Sequence, residues 1–327
     1  MKTNKPPVYV GMDVAKATLQ VHLQGRQIEF TNNAAGHAKL CKKLRAVPAA
    51  HVVCEATGGY ERAATRSFHE AKIPVSVVNP AQVRASAQAQ GQRAKNDFID
   101  GALLTDYGQR FQPAPTPPVS PVQQELADLT GWLRQLIQAR ATAKTQAEHH
   151  TREFVHTHQA ELLTHFEQQI KAVETQIKVL IQQDEPLAQR VACLENIVGV
   201  GPRTAWLILA AMPELGELNR RETASLAGLA PWAKDSGESN GARHISGGRS
   251  AVRHALYMPA LSAARANPVL KEYYQRLIVR HKPAKLVLTA VMRKLLIHMN
   301  NELKKLAAKP PAKKTENCKN TKNSLAK

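Results

Sequence analysis

The stretch RFQPAPTPPVSPV, residues 110–122, constrains this chain more than any other. Five prolines fall in the nine positions 113–121. Each proline fixes φ and removes a backbone donor, so neither a regular helix nor a central strand can run through them. The segment reads as a stiff linker. Sequence character changes across it, so the 327 residues must be built as separate bodies rather than as one continuous layer.

Before the linker, strand and helix signals alternate. Val8–Met12, Ala17–Leu23 and Ile28–Asn32 have strand patterning, with QGRQ as a turn between the last two. AGHAKLCKKLRAV places Leu40, Leu44 and Val47 at helical spacing. HVVCEAT (51–57) predicts a short buried strand, 59–72 a helix, PVSVVNP (74–80) a strand, and 81–90 and 96–109 helices. Three strands close in sequence can form an antiparallel meander. Later strands separated by helices can join it in parallel through right-handed crossovers. That order is the one shown by ribonuclease H-like folds, in which strands one and four are neighbours.

After the linker the chain reads as helical. Leu126, Leu129, Leu133 and Leu136 keep 3–4 spacing, as do Leu163, Phe166, Ile170, Val173, Ile177 and Leu180. An antiparallel hairpin within one chain and a coiled coil between chains both fit this seam. LENIVGVGPRTAWLILAAM (194–212) resembles a helix-hairpin-helix. There Gly199 and Gly201 would let backbone N–H groups approach a DNA phosphate. A plain packing corner uses glycine equally well. The polar stretch 231–250, rich in Gly and Ser, reads as a long loop between apolar helices, and 309–327 as a disordered basic tail. The expected organisation is therefore 1–110, a linker at 111–122, long helices at 123–190, a mostly helical domain at 191–308, and the tail.

Charge narrows the partners. The net charge is +19, and residues 241–327 carry 19 Lys and Arg against 3 acids. A block that basic points to a polyanion, most often nucleic acid. Aromatic residues make up only 5%, so stacking platforms for single strands are not the obvious mode. No run of eighteen apolar residues exists, no membrane partner is expected, and MKTNKPPVYV lacks a signal-peptide apolar region. Four cysteines without a CxxC pair argue against a zinc knuckle or a disulfide framework and fit a reducing cytoplasm, with the protein on the nucleoid when it acts.

The chemistry-bearing candidates are carboxylates and a serine. Asp13 ends the apolar run YVGMD, Glu55 ends the fourth strand, and Asp97 and Asp100 stand three apart on one helical face in KNDFIDGALL. Taken singly, Asp13 suits a turn, and Asp97 and Asp100 suit a helix N-terminus. In a ribonuclease H-like sheet all four can converge. Such a cluster stays ionised only with cations, and Mg2+ is the natural one for holding phosphate oxygens. In the 231–250 stretch, Ser236, Ser239, Ser246 and Ser250 are all possible nucleophiles, with Arg243, Arg249 and Arg253 nearby to clamp a phosphodiester. Residue physics alone does not rank these serines.

The motifs YVGMDVAKATLQV, CEATGGYE, VSVVNPAQVRASAQAQGQRAKNDFIDGALL, IVGVGPRTA, LAGLAP, SGES and RHALYMPAL occur in one order. Together, over about residues 8–300, they resemble the insertion-sequence transposases related to the Piv DNA invertases. The resemblance implies a RuvC-like domain with a DEDD tetrad, matching Asp13, Glu55, Asp97 and Asp100, and a transposase domain whose nucleophile matches Ser236, with Ser239 next. Asn96 and Gly101 depart from the more usual Thr and Ala around the second acid pair. The resemblance further implies double-stranded donor and target DNA, a structured non-coding bridge RNA as guide, and a homo-oligomer, dimer or tetramer, with sites assembled from two subunits. Competing readings are a junction-resolving nuclease using water, a nucleic-acid-binding structural protein, and a sugar-kinase-like phosphotransferase. The last lacks a glycine-rich phosphate loop.

Overall fold

The computed structural model describes residues 6–91, 97–147, 152–232, 235–236, 239–240 and 243–308, with backbone alone at 97–99, 235–236 and 239–240. The tail expected over 309–327 lies outside the described residues. The chain divides into two compact units between Val119 and Ser120.

The first unit runs β1 (Val8–Val14), β2 (Thr18–Leu23), β3 (Arg26–Thr31), α1 (Ala34–Arg45), β4 (Ala50–Glu55), α2 (Arg62–Glu70), β5 (Val75–Val78), α3 (Pro80–Ala89) and α4 (Asp97–Phe111). Its five strands form one mixed sheet in the order β3-β2-β1-β4-β5. The first three make an antiparallel meander, and β4 and β5 add in parallel. The β2–β3 turn is tighter than QGRQ suggests. Leu23 pairs with Arg26, leaving Gln24 and Gly25, both at positive φ, as a two-residue hairpin loop.

Side-chain alternation sorts the sheet into two faces. Val10, Met12 and Val14 of β1 pack with Leu40 and Leu44 of α1 and Phe68 of α2. Tyr9 and, on β4, Val53 face the other way, onto Val83 of α3 and Leu104 and Tyr107 of α4. The proline-rich segment does not swing free of this body. Thr116 N–H donates to Val75 O at 2.8 Å, and Val77 N–H donates to Thr116 Oγ1 at 2.9 Å. The segment so covers the outer edge of β5, which otherwise presents unpaired donors and acceptors.

The second unit holds α5 (Pro121–Ala147), α6 (Glu153–Gln183), α7 (Glu185–Glu195), α8 (Pro202–Ala211) and α9 (Arg220–Leu226). Four two-residue strands follow: β6 (Pro231–Trp232), β7 (Asp235–Ser236), β8 (Ser239–Asn240) and β9 (His244–Ile245). It ends with α10 (Ser250–Ala266), α11 (Pro268–Val279) and α12 (Ala284–Ala308). Leu126, Leu133 and Leu136 of α5 share one core with Ile170, Val173, Ile177 and Leu180 of α6. The seam from Leu126 to Leu136 and from Ile170 to Leu180 is thus closed within the chain, as a helical hairpin, while Trp132, Phe154 and Leu162 of these helices stay exposed. Buried Asn300 of α12 accepts from Gly216 N–H and donates to Leu218 O, both at 2.8 Å, fixing the turn before α9. No helix among the described residues is long and apolar enough to cross a membrane.

Close packing of α4 on β1 depends on missing side chains. A methyl group at Gly11 would overlap the Gly101 carbonyl oxygen and lie 2.7 Å from Thr105 N, and one at Gly108 would lie 2.7 Å from the Tyr9 ring. A methyl group at Gly101 would meet the end of the Gln27 side chain at 3.2 Å, where the neighbour is flexible. Gly11→Ala is therefore expected to cost about 1–3 kcal/mol, and Gly101→Ala less than about 1 kcal/mol. Urea unfolding of the two variants checks the difference, and equal stability would contradict it.

Candidate active site

Asp13 and Glu55 are brought together by strand register. On the parallel strands β1 and β4, Met12 pairs with Cys54, and Asp13 and Glu55 are the next residues along each strand. Alternation puts both on the α4 side of the sheet, with Tyr9, Gly11 and Val53, while Met12 and Cys54 lie on the opposite side. Asp13 is half-buried and accepts from the Val14 N–H through Oδ1 at 2.9 Å.

Helix α4 runs antiparallel to β1. Gly108 stands at Tyr9, and Gly101 and Thr105 stand at Gly11. The helix N-terminal turn therefore heads toward the Asp13 end of the strand, and this turn holds Asp97 and Asp100. A single hydroxyl fastens the crossing. Thr105 Oγ1 accepts from Gly11 N–H at 2.9 Å, lies 2.9 Å from His22 Nδ1, and donates to Gly101 O at 3.2 Å. Asp100 is half-buried, and the Asp97 side chain lies outside the described residues.

A further acid holds the loop after β4. Glu61 Oε2 accepts from Thr57 N–H and Thr57 Oγ1, each at 3.1 Å, and from Gly59 N–H at 2.9 Å. Gly58 and Gly59 both have positive φ, which only glycine adopts without strain. Glu61 is thereby committed to this loop, and Glu55 stands at the end of β4 before it. Beneath them, burial pushes the Cys54 thiol up to about 12, with Glu61 and Glu55 adding to the shift. Cys54 also faces the opposite side of the sheet, away from these acids. Asp13 and Glu55 offer carboxylate oxygens on the α4 side, which suit a hard cation, and His22, beside Gly11, faces Thr105 on the same side. Among the described residues, no three His, Cys, Asp or Glu side chains stand together closely enough to hold a metal ion.

The stretch expected to be a long loop carries a β-ribbon instead. Pro231 pairs with Ile245 and Trp232 with His244, then Asp235 with Asn240 and Ser236 with Ser239. The alternation of polar and small residues hides this, because the ladders are only two residues long and the ribbon has no apolar face to pattern. Ser236 and Ser239 are register partners nearest the hairpin end, so backbone geometry does not rank one above the other.

Two of the three arginines expected to clamp phosphate are engaged at the ribbon's foot. Arg253 Nη1 donates to Ala227 O at 3.2 Å and also to Gly247 O. Arg249 Nη1 donates to Ala211 O and pairs with Glu214, both at 2.7 Å, while its N–H donates to Leu226 O at 2.7 Å. Only Arg243 of the three is described without such a tether, and it is exposed. Of the two glycines, Gly199 serves packing, since a methyl there would lie 2.8 Å from Ala263 of α10. Gly201, at the N-cap of α8, faces open space. Sequence reasoning misses Gly11, Thr105 and Glu61. A glycine inside a strand pattern is the one available signal, since it marks close backbone approach.

Two family models match the chain. A DEDD model described as a transposase covers residues 10–156, and one described as the transposase IS116/IS110/IS902 family covers 191–275. The chain is thus a transposase, an enzyme that cuts and rejoins DNA. Among curated proteins it is 31% identical over 306 residues to the pilin gene-inverting protein of Moraxella bovis, covering 88% of this chain and 93% of the relative. The Moraxella lacunata counterpart is 30% identical with the same coverage. An uncharacterised 43.6 kDa protein of insertion element IS110 from Streptomyces coelicolor is 34% identical over 125 residues, covering 38% of this chain and 30% of the relative. The chain belongs to the IS110 family of transposases.

Thr105→Val removes the hydroxyl that joins α4 to β1 and strands the buried Gly11 N–H. Loss of about 1–3 kcal/mol in urea unfolding is expected, with Thr105→Ser close to wild type. A Thr105→Val protein of unchanged stability would show that the fastening lies elsewhere.

Proposed function

We propose that the chain is an RNA-guided DNA recombinase in which a serine of the ribbon, Ser236, becomes joined to DNA while Asp13, Glu55, Asp97 and Asp100 hold Mg2+. The observation that carries the reading is the register of β1 and β4, which makes Asp13 and Glu55 neighbours on the side that α4 covers, with that helix's acids at its near end. Membership of the transposase family and the carboxylate donors of Asp13 and Glu55 support it. When bound, Mg2+ would neutralise phosphate oxygens and make phosphorus more open to attack.

The chain's own residues carry the rest. Ser236 Oγ attacks phosphorus and gives up its proton, the bond from phosphorus to the departing sugar oxygen breaks, and that oxygen takes a proton. The new bond keeps the phosphodiester energy, so the hydroxyl of another DNA end can attack the same phosphorus and release the serine. Hydrolysis would discard that energy, and rejoining would then need a cofactor. Arg243 offsets the charge that builds on phosphorus. Arg249 and Arg253 act by fixing the ribbon's foot rather than by touching DNA.

A guide RNA and duplex donor and target DNA suit the 19 basic residues of 241–327. A homo-oligomer, dimer or tetramer, rests on the resemblance to the Piv-related transposases, because the apolar seam that might have required one is covered in the chain itself.

Ser236→Ala should bind DNA normally and form no protease-sensitive protein–DNA adduct. An adduct that survives in Ser236→Ala and vanishes in Ser239→Ala moves the nucleophile. A wild type that cleaves and never forms an adduct favours a nuclease using water. Asp13→Asn, or chelation of divalent ions, should lower strand exchange by about a hundredfold or more and leave nucleic-acid binding nearly intact. Full recombination by Asp13→Asn would overturn the metal assignment. Deleting residues 309–327, which hold six lysines and one glutamate, should weaken binding in a salt-dependent way without changing target choice. A truncated protein that selects different targets would make the tail a reader.

A further inference from the structure

The second unit contains a cavity of about 780 Å³ between the foot of the ribbon, α9 and one face of α12. Five permanent cations line it: Arg220, Arg243, Lys285, Arg293 and Lys294. Among the described residues, no carboxylate lines it. Like charges converging on one concavity raise its potential and repel one another unless an anion enters. Elsewhere in this unit, arginines near the surface find acids: Arg249 pairs with Glu214, and Arg203 with Glu174. Within the cavity the opposite holds, and Arg293 Nε is buried with no hydrogen-bond partner. A buried donor left unmet signals a missing acceptor.

The cavity is not merely a phosphate seat. Leu229, Ile245, Leu286 and Ile297 also line it, and its volume falls within the range of sites that enclose small organic molecules. A phosphate alone would leave that apolar wall without use. A nucleotide has both parts, an anion for the arginines and a flat apolar body for the wall.

Position selects the source of the nucleotide. His244 and Ile245, which form the β9 side of the ribbon's first ladder, line the cavity together with Pro231 of β6. From Trp232 to Ser236 the chain can reach no more than about 14 Å, which matches about four steps of a duplex strand at ~3.4 Å each. A strand cut at the ribbon's serine therefore passes the cavity within a few nucleotides of the cut. We infer that this cavity takes one unstacked nucleotide of the DNA strand being cut, with its phosphate on Arg220 and Arg293 and its base against the apolar wall. The inference rests on the ribbon carrying the nucleophile, as proposed above. It adds a binding step that registers an opened strand beside the cut, since a stacked, paired base cannot enter.

The test is equilibrium binding of a short fluorescein-labelled oligothymidylate to the full chain, followed by anisotropy over a range of salt. Ala290→Trp fills the cavity and keeps every cation. It should weaken binding about tenfold with an unchanged salt slope. Arg293→Met should weaken binding and lower the salt slope by about one. Thermal melting of both variants verifies that each is folded. Undiminished binding by folded Ala290→Trp overturns the site. Loss of oligouridylate binding with oligothymidylate unaffected overturns the DNA assignment and makes the occupant RNA. Binding needs no cleavage, so Ser236→Ala should behave as wild type here. Failure of the serine reading appears in the adduct assay, and failure of the cavity appears in this one.

Discussion

The close approach of α4 to β1 is the constraint on which the first unit depends. Gly11 has no side chain, so the Gly101 carbonyl and the Thr105 backbone can lie directly on the strand. The Thr105 hydroxyl then takes the Gly11 N–H and faces His22 at the same time. Sheet and helix are joined by polar bonds through a dry contact, where such bonds are costly to break. Two of the candidate acids sit just beyond this joint. Asp13 lies two residues along β1 from Gly11, and Asp100 one residue from Gly101. A shift in the joint would move both sets of acids, so the glycine and the hydroxyl set where the carboxylates stand.

The second unit divides its labour differently. Its helices bury a continuous apolar core, whereas the ribbon contributes nothing to that core and Trp232 on it is 56% exposed. The link between them is a knot of backbone and arginine. Gly228 and Gly248 approach so closely that a methyl on Gly248 would lie 2.6 Å from Gly228 Cα, and Arg253 closes the contact from α10. Arginines near a reactive loop invite a reading as phosphate clamps. Here two of the three neutralise carbonyls and an acid at the anchor, and the cations open to an anion come partly from α12, far along the chain.

Strand order in the first unit is legible in the sequence, because β2 alternates buried and half-buried side chains while β1 and β4 are short apolar runs buried on both faces. The register that makes Asp13 and Glu55 neighbours is legible too, since both follow apolar strand runs of similar phase. The ribbon is not. Its ladders are too short for periodicity, and its residues are chosen for solvent or ligand rather than for packing. Pairing of α5 with α6 is undecidable from the heptad seam, because an intrachain hairpin and an intermolecular coil use the same apolar spacing. The proline segment is half legible. Proline excludes it from a strand, yet Thr116, between two prolines, keeps a donor and an oxygen with which it docks on β5. The cavity arises from Arg220, Arg243 and Arg293, which no local motif connects.

The ribbon's anchorage has a consequence for inheritance. Its ladder bonds are its own, and the helices do not rest on it, whereas its foot is crowded with glycine and arginine that tolerate little. Changes in length or sequence near the hairpin end leave the folded body untouched, and selection can act on them through activity alone. Changes at Gly228, Gly248 or Arg253 are purged first for misfolding. Among descendants of such a chain, the ribbon's foot is the part that records common ancestry through folding, whereas any constraint on its end comes through activity.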